Sequence, residues 1–286
     1  MSCAMLISGT IGWFVLTAQQ PVVSVVFWRC ALGAIALLVA CVATGALRRD
    51  IASARQLILA AGGAIAVVLN WLLLFAAFPR ASISVATTIY NTQPFMLAIL
   101  GTLFLGERLT ATKIFWLVLA FVGVVALVET GDAGPTAGSA YLAGILLALG
   151  AAFFYAITAL VAKQLAAVPA IVVVLIQVSV GSIALAPFAF ANAMPSGGGT
   201  WVKLAILGVV HTGVVFVLLY RGIRKLPTHV IGALSFIYPV VAMIVDAVAF
   251  AQRLQPLQIA GASLVLIAAA GTTFGWSLRP RQPVCE

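Results

Sequence analysis

A succession of apolar runs, each close to twenty residues and separated by short breaks, constrains this chain more than any other feature. The runs predict helices over residues 3–20, 23–46, 56–79, 82–105, 111–129, 141–165, 168–191, 201–222, 228–251 and 255–277. Each run is too apolar all round to be the half-buried helix of a soluble domain. Each also approaches the roughly 20 residues that cross a hydrocarbon layer. A backbone in hydrocarbon has no water to bond, so segments of this length satisfy their own N–H and C=O groups as helices. The breaks carry turn chemistry: Gln20-Pro21, Arg48-Arg49-Asp50, Pro79-Arg80, Gly106-Glu107-Arg108, Gly131 to Pro135, Val168-Pro169, Pro195 to Gly199 and Leu226-Pro227. Composition removes the soluble alternative. The chain is 64% hydrophobic and 7% charged, against roughly 25% charged in soluble domains.

The formal charge of +9 does not point to nucleic acid, because no long basic run exists and the charges fall between apolar segments. They read as topogenic charge instead. With the N-terminus in the cytoplasm, Arg48, Arg49, Arg55, Arg108, Lys113, Lys163, Arg221, Arg224, Lys225, Arg279 and Arg281 fall inside. Arg80, Lys203 and Arg253 fall outside. This bias predicts both termini inside, as an even helix count requires, with Glu129 and Asp132 flanking an outer loop. The first apolar run lacks a basic leader and a convincing cleavage site, so it is expected to stay as a spanning helix. Cys3, Cys30, Cys41 and Cys285 include no CxxC pair and read as small hydrophobic residues rather than a disulfide or zinc framework.

The chain also repeats itself. Residues 90–110, YNTQPFMLAILGTLFLGERLT, overlay residues 235–255, SFIYPVVAMIVDAVAFAQRLQ, at a shift of 145 positions. Pro94 then falls on Pro239, Arg108 on Arg253 and Leu109 on Leu254. Gly9 matches Gly150 and Trp13 matches Phe154 at a shift of 141, and GAIAL at 33–37 matches GSIAL at 181–185 at a shift of 148. Two five-helix halves, residues 1–135 and 136–286, follow. Five is odd, so the second half crosses the membrane in the opposite sense. Inverted repeats of this kind mark secondary transporters.

The paired prolines are the best pointer to a site. Each lies near the middle of its run, removes one backbone donor and frees the carbonyl four residues earlier, at Tyr90 and Ser235. Matching interrupted helices predict a midplane binding site with Pro94 and Pro239 as hinges. Thr87, Thr88, Tyr90, Asn91, Thr92 and Gln93 gather beside Pro94, and Thr87, Asn91 and Pro94 share one helix face. That face lines a wet cavity or bonds a neighbouring helix. Trp13, Trp71, Phe154, Tyr155 and Tyr238 supply aromatic walls, and Trp116, Trp201 and Trp276 lie at helix ends where interfacial residues sit. His211 falls mid-helix. Its ordinary role is a neutral imidazole bonded to a neighbour, and its rarer one is titration with proton movement. Arg29 pairs with Asp246 or snorkels outward. The expected cavity residues are therefore Trp13, Trp71, Thr87, Tyr90, Asn91, Gln93, Phe154, Tyr155, His211, Ser235 and Tyr238. No hydrolase, nucleotide-binding or metal motif is present, so neither catalysis nor a cofactor is expected.

These features together resemble the EamA-type members of the drug/metabolite transporter superfamily. The carriers are the five-plus-five pattern and PFMLAILGTLFLGERLT at residues 94–110. The second copy, with Ala251-Gln252-Arg253-Leu254 in place of Gly-Glu-Arg-Leu, is weaker. Within the family the chain is most similar to the YddG-type exporters of aromatic and other amino acids. The resemblance implies a ten-helix basket with a central cavity that opens alternately to either side of a bacterial inner membrane. It implies a small-molecule substrate and a bilayer as partners. Export of drugs or other metabolites is the alternative, and a non-transporting scaffold or intramembrane enzyme a more distant one.

Overall fold

The computed structural model describes the chain except residues 48–50, 82, 108–109, 129–138, 250–255, 275 and 277–286, and the side chains of 83–85, 88, 127–128, 242–243, 246–247, 249, 258, 262, 269 and 272–273. Its described elements are all helical. The first half runs α1 (Ser2–Ser8), α2 (Ile11–Thr17), α3 (Val22–Ala43), α4 (Ala54–Ala81), α5 (Ile83–Tyr90), α6 (Gln93–Leu105) and α7 (Ala111–Val128). The second runs α8 (Ser139–Gln164), α9 (Ala170–Phe190), α10 (Gly198–Ile206), a π-helical segment (Leu207–Val214), α11 (Val215–Lys225), α12 (Thr228–Ser235), α13 (Ile237–Ala249) and α14 (Pro256–Thr273). Among the described residues, five helical stretches are long and apolar enough to cross a membrane: Val22–Ala43, Ala54–Ala81, Ser139–Gln164, Ala170–Phe190 and Gly198–Lys225. Shorter apolar helices pack among them. Ile58, Ile183 and Val248 are more than 70% exposed on the outside. An apolar exterior of this kind is stable against lipid and unstable against water.

Three expected continuous helices are divided, each for a local reason. The first breaks at Gly9 and Thr10, where the Thr10 hydroxyl donates to the Ile7 carbonyl at 2.9 Å. Hydroxyl bonds of this kind compete with the helical ladder. The run at 82–105 breaks at Asn91 and Thr92, and the run at 228–251 breaks at Phe236. In both, the break precedes the proline by two or three residues, because the ring obstructs the helical conformation of the residue before it and the carbonyl four back. Pro79 behaves otherwise. It was expected to end its helix, yet α4 continues to Ala81. Arg80 Nη1 donates to the Ala76 carbonyl at 2.7 Å, which satisfies part of the last turn.

The core is held by small residues between long helices. α8 lies along α4 with Ala148, Ala151, Ala152, Ala156 and Ala159 fully buried. α3 packs on α9, α6 on α12, and α7 on α14. The α3 contact with the π segment is closer still. A Cβ on Gly33 would stand 2.9 Å from the Gly208 carbonyl oxygen, and one on Gly208 would stand 2.9 Å from the Gly33 nitrogen. Only glycine permits this backbone approach. Trp116 is not an interfacial anchor. It is buried against Gly271 of α14, and its Nε1 donates to the Trp276 carbonyl at 3.1 Å. Of the charges that carry the orientation argument, Arg48, Arg49, Arg108, Arg253, Arg279 and Arg281 lie outside the described residues, as do Glu129, Asp132 and Cys285.

At one end of the bundle, Gly106 ends α6 with φ 66° and presents Glu107 to α8 and α12. Lys163 Nζ lies 2.5 Å from Glu107 Oε1. The Thr228 backbone N–H donates to Oε2 at 3.0 Å, and its hydroxyl donates to the same oxygen. Partial burial alone would raise the Glu107 carboxyl, but the hydrogen bonds from Lys163 and Thr228 outweigh it and hold the group below the ordinary glutamate range. Arg224 adds bonds to the Ala162 and Val168 carbonyls nearby. A half-buried polar latch therefore ties α6, α8 and α12 together at this end.

Candidate functional site

The interrupted helices converge on a narrow cavity of about 70 Å³ inside the bundle. Both halves contribute to its wall. Ser8 and Ile11 flank the break of the first helix, Tyr90 and Gln93 flank the break between α5 and α6, and Tyr238 follows the break between α12 and α13. Asn70, Trp71 and Phe75 come from α4, Tyr155 from α8, His211 from the π segment and Phe216 from α11. Aromatic rings meet edge to face across it: Tyr90 with Tyr155 at 6.1 Å and Trp71 with Phe216 at 5.1 Å between centroids. Such contacts hold the wall by ring quadrupoles as well as by burial.

Arg29 sits at the centre of this wall, which the sequence did not predict. Outward snorkelling does not describe it, because the side chain is fully buried. Its Cζ lies 3.8 Å from the centroid of the Trp71 ring and 5.7 Å from that of Phe75. A desolvated cation over an indole gains about 2 kcal/mol. Arg29 Nε donates to Thr212 Oγ1 at 2.9 Å, and Nη2 donates to the His211 carbonyl at 3.5 Å. The side chain of Asp246, the other expected partner, lies outside the described residues.

The wide π register arranges these acceptors. Thr212 Oγ1 donates five residues back, to the Leu207 carbonyl at 2.8 Å. π segments recur at functional sites because they shift side chains off the α-helical spacing. His211 Nε2 lies 2.8 Å from Thr10 Oγ1, and Nδ1 lies 3.4 Å from the Ile206 carbonyl. The imidazole thus ties the break of the first helix to the π segment.

Of the eleven residues expected in the cavity, the structure brings six to its wall: Trp71, Tyr90, Gln93, Tyr155, His211 and Tyr238. Five do not line it. Asn91 turns its amide back onto its own helix, with Nδ2 donating to the Thr87 carbonyl at 2.7 Å, and Thr87 is buried beside it. Ser235 Oγ likewise donates to the Ile231 carbonyl at 2.8 Å. These local bonds cap the ends of α5 and α12, where the breaks free carbonyls. Phe154 is half-buried against Phe153, with ring centroids 5.8 Å apart. Trp13 borders a separate apolar depression of about 370 Å³ with Thr10, Phe14, Ile244 and Val248. Pro94 and Pro239 are buried and do not line the cavity. A Cβ on Gly232 of α12 would meet Pro94 Cβ at 2.9 Å, so α6 and α12 cross at this point.

The comparisons with known proteins agree with a transport role. The model of the EamA-like transporter family matches residues 1–128 and 142–274. An uncharacterized transporter, YxxF of Bacillus subtilis (strain 168), is 29% identical over 250 residues, covering 87% of this chain and 80% of the relative. The aromatic amino acid exporter YddG of Ancylobacter novellus is 25% identical over 69% of this chain and 70% of its own length. A probable amino-acid metabolite efflux pump of Escherichia coli (strain K12) is 27% identical over 70% of this chain and 69% of its own. A crystal structure at 20% identity superposes with a TM-score of 0.81, covering 95% of this chain and 94% of that one, a likeness of fold alone.

Proposed function

The chain belongs to the EamA-like transporter family, and from that premise we propose that it exports aromatic and neutral amino acids across a bacterial inner membrane by alternating access. It is a membrane transporter, and its relatives are named as transporters and efflux pumps rather than enzymes. The observation that carries the finer reading is the central cavity, whose wall is built from both halves where their helices are interrupted. In this reading ten membrane-crossing segments form two inverted halves, residues 1–135 and 136–286, with both termini cytoplasmic. The packing supports that symmetry: α3 with α9, α6 with α12 and α7 with α14 each join a segment to its own repeat partner. The two separate stretches matched by the family support it as well.

Mechanically, the breaks beside Pro94 and Pro239 divide two crossing helices into half-helices that pivot about the cavity. The Glu107 latch closes the end that the charge pattern assigns to the cytoplasm, and the opposite end opens when the latch holds. The test is counterflow of labelled amino acids into proteoliposomes, with and without a pH gradient. Uptake of aromatic or neutral amino acids above empty liposomes is the expected result. No movement of any amino acid, with cationic drugs moved instead, would overturn the amino-acid reading in favour of drug export.

A further inference from the structure

Three residues that line the cavity, Arg29, Gln93 and Tyr155, each carry a buried polar atom without a partner, and those of Arg29 and Gln93 are of opposite character. Arg29 Nη1 donates to nothing among the described residues, although the side chain is fully buried. Gln93 Oε1 accepts from nothing, although Gln93 is 3% exposed. Buried polar groups are nearly always satisfied, and each unsatisfied one calls for an explanation. No aspartate or glutamate lines the cavity among the described residues. Among the described residues the partners of this buried guanidinium are the Trp71 face, the Thr212 hydroxyl and the His211 carbonyl, which carry no formal charge to balance its own.

We propose that Arg29 Nη1 and Gln93 Oε1 form a zwitterion clamp, in which the guanidinium takes the α-carboxylate of a free amino acid and the amide oxygen takes its ammonium. The proposal deepens the transport reading and rests on it for the identity of the cavity as the solute site. A planar guanidinium suits a carboxylate better than a lysine would, and an amide oxygen accepts from ammonium without adding net charge. Both poles of the solute are then partnered, the carboxylate by the guanidinium and the ammonium by the amide oxygen, and a solute lacking either pole leaves one of the two protein groups unused. Phe75, Phe216 and Tyr238 then surround the apolar side chain. A peptide-bonded residue lacks one of the two free ends, and a decarboxylated amine leaves Arg29 unpaired.

The test uses purified full-length protein with three probes: L-phenylalanine, phenethylamine, which lacks the carboxylate, and 3-phenylpropanoate, which lacks the amine. Binding is read in detergent from tryptophan fluorescence, and movement is read in proteoliposomes. In the unmodified protein, phenylalanine should bind about tenfold or more tighter than either analogue, since a site built for a polar group rejects its absence strongly. Arg29→Gln should remove the preference over phenethylamine, and Gln93→Leu the preference over 3-phenylpropanoate. Arg29→Lys keeps the cation and should retain an intermediate preference. Because the readout is a ratio between probes, a partly unfolded variant does not imitate it. Equal loss for all three probes in Arg29→Gln, no preference in the unmodified protein, or no binding of any probe would overturn the clamp. Selective binding without movement would sink the transport reading and leave the clamp standing. Movement of phenylalanine indifferent to Arg29 would do the reverse.

Discussion

The helices that open the two halves occupy equivalent places in the sequence and are built differently. α8 is one unbroken helix of 26 residues, packed along α4 through a stripe of alanines. Its counterpart is split into α1 and α2 at Gly9 and Thr10, and it meets α10, α11 and the π segment more sparingly. The latch differs as well. Glu107 of the first half is bonded by Lys163 and Thr228, whereas the aligned residue of the second half is Gln252, which carries no charge. Inverted repeats therefore share a fold without sharing an energy. One end of the bundle is held by an ion pair whose acid has an uncharged counterpart in the second half.

Three changes would break or sharpen this comparison. The largest effect should come from Pro94→Ala together with Pro239→Ala. Restoring continuous helices in both halves should slow transport about tenfold or more, with membrane expression little changed; equal losses in both measurements would assign the prolines a folding role only. Next is Ala152→Ile. The equivalent residue of the first half is Ile11, half-buried where α1 and α2 separate. An isoleucine in the tight α4–α8 seam should cost about 1–3 kcal/mol by overpacking, seen as a lower Tm in detergent. An unchanged Tm would mean the seam is looser than its burial implies. The smallest is Glu107→Gln, which gives the first half the residue of the second. Losing a half-buried, hydrogen-bonded ion pair should weaken closure by about 1 kcal/mol, measured as faster labelling of a cysteine placed at that end. The pH dependence follows the same bond. Because the folded Glu107 titrates below its ordinary value, its contribution is complete above the ordinary glutamate range. It is lost as pH falls through the lowered value. Labelling should therefore rise with acid in the native protein and stay flat in Glu107→Gln.

Much of the architecture was legible from the chain because lipid leaves few alternatives. Apolar runs must be helices, and a proline in the middle of one must interrupt it, so the breaks near Pro94 and Pro239 followed from sequence. What escaped depends on where helices touch. Arg29 reads as a residue near the outer end of a run, and nothing local says that Gly33 and Gly208 draw α3 onto the π segment and seal it against Trp71. The π register itself leaves no period in eight residues. Asn91 and Ser235 have the chemistry of a site, but the Asn91 Nδ2 and the Ser235 hydroxyl bond back to their own helices, and only the geometry of the breaks decides that. Trp116 looks interfacial by position and is buried because Gly271 makes room for it.

The stacking of Arg29 on Trp71 has an optical consequence. An indole's emission depends on the electric field across its ring, and here a full positive charge lies 3.8 Å from the centroid. An anion arriving at the guanidinium would cancel much of that field while leaving the ring in place. Among the six tryptophans, Trp71 should then change colour with occupancy, and Trp71→Phe should silence the signal. The protein would thereby carry a reporter of its own loading, readable without a label.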